Sequence, residues 1–584
     1  MIADVLAGAA IATAGNRDPT TALTGLLEAD APVIVEVVSA LGTPEQAAAL
    51  DSARTRSHMR LNAGRPDSAP RREPLHWPVA FPEILTRHGT AGFDAMVGNP
   101  PFLGGQRIKG PAGSDYRNHL IAWTANGRKG SADLVAYFFL AATRVARSFG
   151  FLATNTIAQG DTSEVGLTQI LDGGWSIHRA VPSISWPGDT SLEIAKVWAT
   201  SHPWNGSRPL DGRPVTAIDE MLYPVSASGW RKQRLAANAD QSFIGSYVLG
   251  TDEFTMSPEE AQVLISKDSR NAEVLYPYLG GEDLNTSPTQ TAPRWIINFH
   301  DWSEGKAKGY HDCFTILEQN IKPKRAKVED AAARFWWRYL RPRPELHRAI
   351  EPLDRVLAIC QTSKVQLPVF VDTGQVFAHK LVVFGLDDNF SFGVLSSGHH
   401  WHWVLRHGST MRMDPVYTPS DVFETFPQPP YSAAVESAGK ALDEHRSKLM
   451  TGRGLGLTSV YNLVHSADLR SDEGIKRLRD LHVDLVEDIQ PLRDLHVDLD
   501  VAVRDAYGWS DLDLGHGFHD VRGQGVRFTF SPSAADEVLD RLLELNRKRY
   551  ESEVAAGLHG RAKKPKKARP RVLAGQGSLL GGEQ

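Results

Sequence analysis

Phe93-Asp94-Ala95-Met96-Val97-Gly98-Asn99-Pro100-Pro101-Phe102 is the stretch on which the fold turns. A short apolar run ends in Gly-Asn-Pro-Pro. That reads as a buried strand entering a sharp loop, because neither proline can donate to a central ladder. Downstream, residues 132–148 (ADLVAYFFLAATRVARS) carry apolar side chains at helical spacing. Gly150 follows, and Phe151 to Ile157 has the composition of a strand. Strand-like runs at 178–186 and 192–200 are joined by a loop that begins Pro187-Gly188-Asp189. Strand, helix, strand and a hairpin-like pair make the second half of an α/β sheet.

Outward from this centre the chain changes character several times. Residues 1–60 are rich in Ala and Leu and read as helical, and 61–80, rich in Pro and Arg, read as a linker. Between 205 and 430 helical periodicity weakens while Pro, Gly, Trp and His rise, which predicts a mixed α+β domain with long loops. Residues 431–556 return to helices. There LRDLHVDL occurs at 478–485 and again at 492–499. An offset of two heptads predicts that both copies present one helix face, in a helical hairpin or coiled coil. The tail 557–584 holds Arg561, Lys563, Lys564, Lys566, Lys567, Arg569 and Arg571 with two prolines interspersed, and is expected to be disordered. The domain expectation is therefore 1–204, 205–430, 431–556 and a basic tail.

Composition narrows the function classes. A chain of 584 residues holds about three or four domains. With 41% hydrophobic and 23% charged residues it reads as soluble and globular. The balance of 64 basic against 69 acidic residues gives no global basic signal, so any nucleic-acid contact must rest on local patches. Two cysteines, Cys313 and Cys360, exclude a disulfide framework and a cysteine-rich zinc site, and fit a reducing cytoplasm as buried thiols. No run approaches the roughly 18–20 apolar residues of a membrane helix. The opening MIADVLAGAAIATAG lacks a basic start and contains Asp4, so it reads as a core helix rather than a signal peptide.

Asn99-Pro100-Pro101-Phe102 carries the chemistry. The adenine amino nitrogen is a poor nucleophile, because its lone pair is delocalised into the ring. Accepting hydrogen bonds from both amino hydrogens favours the pyramidal form that attacks a methyl sulfonium. An Asn side-chain oxygen and a nearby carbonyl can do this, and a proline-locked loop fixes that carbonyl without a competing donor. An aromatic ring next in line can stack on an extruded base. His399, His400 and His402 cluster around Trp401. In a strand, 400 and 402 share a face, and packing is favoured over a metal site, which needs convergent ligands and a further partner.

These four residues match motif IV of the amino-methyltransferases, written (D/N/S)-P-P-(Y/F/W). His76-Trp77-Pro78, Phe81-Pro82-Glu83 and Gly92-Phe93-Asp94 before them resemble the catalytic half of large adenine methyltransferases. These include MmeI-like type IIG restriction-modification enzymes and the methylases of the DISARM and BREX phage-defence systems. Ala132-Asp133-Leu134 before Tyr137-Phe138-Phe139 is similar to their motif V, which implies that Asp133 lies near the donor, S-adenosyl-L-methionine. Gly150 to Thr162, with Trp186-Pro187-Gly188, resembles motifs VI to VIII. The fold implied is a partial Rossmann-like sheet followed by an α+β target-recognition domain and a helical region.

Residues 205–430 resemble that recognition domain. The matching words are Leu279 to Asn285, Pro293 to Phe299, Trp336-Trp337 before Arg341-Pro342-Arg343-Pro344-Glu345, and Thr425-Phe426-Pro427. Lys322, Lys324, Arg325 and Lys327, with Arg338, Arg341 and Arg343, are the candidates for following the phosphates of double-stranded DNA. The bland alternatives are a solvated charged face and core packing of the Trp pair.

In the family the donor site opens with a strand ending in a turn of the kind D-x-F/A-x-G-x-G. Nothing in residues 1–90 fits it, Gly8 and Gly15 being seven apart in or at the end of a helix. A truncated product, a separate N-terminal donor-binding polypeptide and a mis-set start are the three explanations. An exposed sheet edge and apolar face, with weak catalysis by the chain alone, are the expected consequences. No PD-(D/E)-x-K nuclease motif stands out.

Overall fold

The computed structural model describes residues 1–39, 42–85, 92–187, 192–225, 230–326, 330–411 and 414–559. It is a mixed α/β structure in two compact units that divide between Gly229 and Trp230.

In the first unit, β1 (Met96–Gly98) runs parallel to β2 (Ser148–Thr154), pairing Met96 with Phe149, Val97 with Gly150 and Gly98 with Phe151. Parallel neighbours need a crossover, and helix Leu134–Val145 supplies it. β3 (Ser176–Ser185) and β4 (Glu193–Thr200) form the expected antiparallel pair, and β4 also lies antiparallel to β2. With β5 (Arg208–Leu210) and β6 (Arg213–Val215) the order is β1-β2-β4-β3-β5-β6. The expected boundary at 204/205 therefore falls inside the first unit, because β5 pairs with β3.

Side chains of β2 alternate across the sheet. Phe149 and Phe151 turn onto Phe139 of the crossover helix, with ring centroids 5.3 Å apart in each case. Gly150 faces the other way, beneath Trp198, whose ring a Cβ would meet at 2.7 Å. Residues 1–60 form the expected helices, α1 (Ile2–Thr13), α2 (Pro19–Ser39) and α3 (Pro44–Leu61). The Asp30 carboxylate of α2 is buried against Arg56 and Arg60 of α3, and Trp123 Nε1 donates to the Ala10 carbonyl of α1 at 3.0 Å.

The second unit holds two four-stranded sheets. In one, Leu275–Leu279 and Arg294–Ile297 are the central antiparallel pair; in the other, Arg355–Cys360 lies between Val369–Asp372 and Leu381–Phe384. The core of the second sheet is continuous with the C-terminal helices: Leu357, Val383 and Phe392 belong to one buried cluster with Leu442, Tyr461, Leu499 and Val538.

Two local readings are corrected. His399, His400 and His402 lie on helix Gly398–His407, not on a strand, so the residues that share a face are 399 and 402, both packed on Phe530. The two LRDLHVDL copies differ in conformation. The second lies wholly inside helix Gln490–Ala506, whereas helix Asp472–Asp480 ends within the first, whose His482 has φ of +54°. Both cysteines are buried and free, and burial pushes the Cys313 thiol up to about 12. Among the described residues no helix is long and apolar enough to cross a membrane. The basic tail from residue 560 lies outside the described residues, as do Gly188, Asp189 and Lys327.

Candidate active site and DNA-recognition surface

The Asn99–Phe102 loop leaves the end of β1. Its entry is set by three rings that the sequence places in separate words: Trp77, Phe81 and Phe93 pack with centroids 5.4–5.7 Å apart. Phe93 continues the β1 line, its N–H donating to the Val145 carbonyl at 2.8 Å.

Asn99 is exposed, Pro100 is buried, and Phe102 is half-buried with its ring against the first-unit core. Neither the Asn99 amide nor the Pro100 carbonyl makes a hydrogen bond among the described residues. In a loop fixed by two prolines these are free, directed polar groups rather than turn-stabilising ones.

Asp133 holds the exit of the loop. It is 7% exposed and caps helix Leu134–Val145, its Oδ1 accepting the Val135 N–H at 3.0 Å and the Leu103 N–H at 3.1 Å. The Leu134 N–H returns the contact to the Leu103 carbonyl at 2.9 Å. Gly105 permits this closeness, since a Cβ there would sit 2.3 Å from the Ser131 carbonyl carbon. Thr162 Oγ1 accepts the Asp133 N–H at 3.1 Å, and Asp161 accepts the Ser131 N–H at 2.6 Å. The structure thus joins three sequence words, Asn-Pro-Pro-Phe, Ala-Asp-Leu and Gly-Asp-Thr, in one brace. Oδ1 of Asp133 is thus shared by two backbone amides, which fixes the exit of the Asn99 loop. In sequence Asp161 and Thr162 stand only as part of a motif, and their bracing role is carried by contacts about thirty residues away.

β1 is the terminal strand of its sheet, and among the described residues nothing pairs with its outer edge. Val97 there is 85% exposed.

In the second unit the basic candidates separate. Arg325 is corrected: it is 3% exposed, with its guanidinium donating to the carbonyls of Trp336, Leu249, Val248 and Arg338, the first two at 2.9 and 2.7 Å. Desolvation lowers it to about 10. It is a buried clamp on loop backbone and cannot reach a phosphate. Lys322 pairs with Glu318 at 2.7 Å and Lys324 with Glu253, so each meets a phosphate only by exchanging a carboxylate. Arg338 donates to the Trp302 carbonyl at 2.8 Å and stacks over Phe335. Arg341 is exposed, and Arg343 sits 3.6 Å from Glu345. Trp336 and Trp337 are buried, packed edge to face with centroids 5.8 Å apart. Leu279 to Asn285 and Pro293 to Phe299 fall on the central strands and the helix Gly281–Thr286, so those words are scaffold.

Among the described residues no group of three His, Cys, Asp or Glu side chains is placed to hold a metal. Burial lowers His399 to about 3, His400 to about 4 and His402 to about 3. His400 is satisfied as a neutral ring, between the Leu395 carbonyl at 2.9 Å and the Tyr417 hydroxyl at 3.0 Å.

A proline-locked Asn loop on an α/β sheet, followed by a unit bearing basic residues, is the arrangement of a DNA methyltransferase domain with a target-recognition domain. Residues 74–200 match the family model described as the MmeI DNA-methyltransferase domain, and residues 230–430 match the MmeI target recognition domain. The chain belongs to the MmeI-like DNA methylases. The type IIL restriction-modification enzyme MmeI, solved in complex with DNA, superposes with a TM-score of 0.55 at 18% identity, covering 78% of this chain and 57% of that one. The chain thus spans little more than half the length of that enzyme. The type IIG restriction endonuclease BpuSI gives a TM-score of 0.23 at 12% identity, over 71% of this chain and 54% of that one. No curated protein matches.

Proposed function

We propose that the chain carries the base-handling loop and the DNA-recognition unit of an adenine-specific methyltransferase acting in restriction-modification or phage defence. The observation that carries this is the pair of unspent acceptors at the end of β1, the Asn99 side chain and the Pro100 carbonyl. Two fixed acceptors suit an amino group with two hydrogens. Both draw the nitrogen towards the pyramidal form, and the gain appears only as its lone pair is used. Phe102 presents the uncovered part of its ring to an extruded base. The proton leaves after the nitrogen becomes cationic, so no strong base is required. S-adenosylmethionine is the donor this reading needs, supplying a methyl group on a sulfonium. Asp133 acts on the reaction through the loop, as a positioning residue. The sheet is read as the second half of a Rossmann-like methyltransferase sheet.

A second reading is favoured by the open edge of β1: the loop and recognition unit serve a donor-binding polypeptide whose strand adds beside Val97. Binding of labelled S-adenosylmethionine to the purified chain, with and without duplex DNA, separates the two. Binding by the chain alone supports the complete enzyme. DNA affinity without donor binding, restored by an added donor-binding polypeptide, supports the second reading. Donor and duplex both failing to bind in either setting would remove both.

A further inference from the structure

The second unit carries an open groove of about 850 Å³ that the methyl-transfer reading does not use. That volume lies within the roughly 300–1,000 Å³ of clefts that hold ligands. Segment 252–256, helix Pro258–Lys267 and the second half of helix His311–Asn320 line it. Its floor is apolar: Met256, Leu264 and Ile316 are half-buried there, and Val263 is 67% exposed beside them. Its rim is acidic, with Asp252, Glu253, Glu259 and Glu260 set against one cation, Lys324. Glu253 pairs with Lys324, and Glu260 accepts the Ser257 N–H at 2.8 Å in a helix cap. Asp252 and Glu259 are exposed and have no cationic partner among the described residues. Such a rim repels phosphate and attracts a cationic chain.

The same unit supplies a cationic chain. Residues 561–571 hold seven Lys or Arg and no acid, and Val572-Leu573 follow at once. Cations beside two apolar side chains match an acidic rim around an apolar floor. The tether is long enough. His559, the last described residue, bonds Glu553 at 2.7 Å, and Glu553 accepts the Ala236 and Ala237 N–H groups at 2.8 and 3.1 Å. Fifteen residues lead from Ala237 to Asp252, so even a straight path puts the groove within roughly 50 Å of this anchor. The folded path is shorter, because 236–238 are helical and Leu249 and Gly250 turn at positive φ. Twelve residues lead from His559 to Arg571, roughly 40 Å when extended, and twenty-five lead to Gln584, roughly 80 Å.

We propose that this groove is the docking site of the chain's own basic tail, residues 561–573. Lysines of the tail meet Asp252 and Glu259, and Val572 and Leu573 cover Val263 and Ile316. Tethering holds the tail at an effective concentration of about millimolar, so contacts that are weak one by one are populated together. Docking withdraws seven cations from DNA. Salt loosens it, because exposed charges are screened beyond about 8 Å at physiological ionic strength. The assignment is independent of the methyl-transfer reading, since it uses no residue of the Asn99 loop.

The test uses the full chain and the variants Val263→Asn and Leu573→Asn. Val263 is exposed, so Val263→Asn should keep the thermal midpoint. A carbodiimide joins a lysine amine to a carboxylate only where the two touch, and mass spectrometry of the monomeric product locates the bonds. Docking gives amide links from Lys563, Lys564, Lys566 or Lys567 to Asp252 or Glu259, at least tenfold above those to other exposed carboxylates. Raising the salt to about 0.5 M lowers them at least fivefold. Each variant lowers them at least threefold although every lysine and carboxylate remains, and the double variant lowers them no further. A tail that serves DNA alone links evenly to exposed carboxylates, unchanged by either variant, and this overturns the proposal. Links found only in covalent dimers place the tail on a second copy and overturn it equally.

Discussion

At the scale of single residues, the loop chemistry is local and the support is not. Asn99 and Pro100 are four-residue information, and the sequence exposes them fully. Asp133 is visible as a residue, but only the fold shows its Oδ1 holding the Leu103 and Val135 amides. Arg325 illustrates the converse error: in sequence it is one charge of a basic run, and only the fold shows four carbonyls around it. Three substitutions test these contrasts. Asp133→Ala should lower the thermal midpoint by the equivalent of about 1 kcal/mol through loss of a helix cap. It should reduce methylation in a reconstituted enzyme more than it weakens DNA binding; unchanged turnover would remove its positioning role. Arg325→Ala should cost about 3 kcal/mol of stability by leaving buried carbonyls unpaired, with no change in the salt dependence of DNA binding. Exposed Arg341→Ala should do the opposite, keeping the midpoint and lowering the slope of log K against log salt by about 1. Equal salt slopes for both variants would contradict this division.

At the scale of elements, the same eight residues adopt two conformations. In the second LRDLHVDL copy Arg493 is buried, donating to the Val464 and Ser466 carbonyls at 2.9 and 2.8 Å; in the first, the equivalent Arg479 is exposed. Periodicity sees the copies as equal, because the partners that distinguish them come from other helices. The histidine helix has a thermodynamic consequence. An unfolded histidine titrates near 6.5. In the folded chain burial holds His399, His400 and His402 at about 3, 4 and 3. As pH falls below about 6.5 the unfolded state takes up protons first, so stability drops by roughly 1.4 kcal/mol per pH unit for each such ring. The drop continues until the folded values are reached. Asp500 runs the other way: burial raises it, so its protonation offsets part of the loss. Thermal midpoints between pH 7 and 5 should fall, with a smaller fall in His402→Gln; a flat profile would contradict neutral burial. For the first unit, Val97→Glu should leave the midpoint of the isolated chain unchanged within about 0.5 kcal/mol, as for an ordinary exposed site. If an added donor-binding strand covers β1, the same change should block activity restored by that polypeptide.

At the scale of the whole molecule, the sequence made much of the first sheet legible. The crossover helix 134–145 and the β3–β4 pair lie where apolar spacing put them, whereas β2 begins three residues before the expected strand, whose last residues 155–157 turn into the short helix Asn155–Ala158. The β5–β6 ribbon was missed because each strand has three residues, too few for a period to register. In the second unit the recognition words mark its strands, while the pairing of Lys322, Lys324, Arg338 and Arg343 with neighbouring groups, and the exposure of Arg341, are not revealed by spacing. The C-terminal helices, read as a separate region, share their core with the Arg355–Cys360 sheet, because their apolar stripes find no other partner.

On the proposed function, the Asn99 loop directs methyl transfer to an adenine amino group. Its most direct test is to incubate the chain with radiolabelled S-adenosylmethionine and duplex DNA, supplying a donor-binding polypeptide if the chain alone is silent. The modified nucleoside is then identified after digestion, with Asn99→Ala alongside. The account predicts label on the exocyclic nitrogen of adenine with the wild-type chain, and a loss of at least a hundredfold in Asn99→Ala while duplex binding is retained. Label on cytosine, or undiminished adenine methylation by Asn99→Ala, would contradict it.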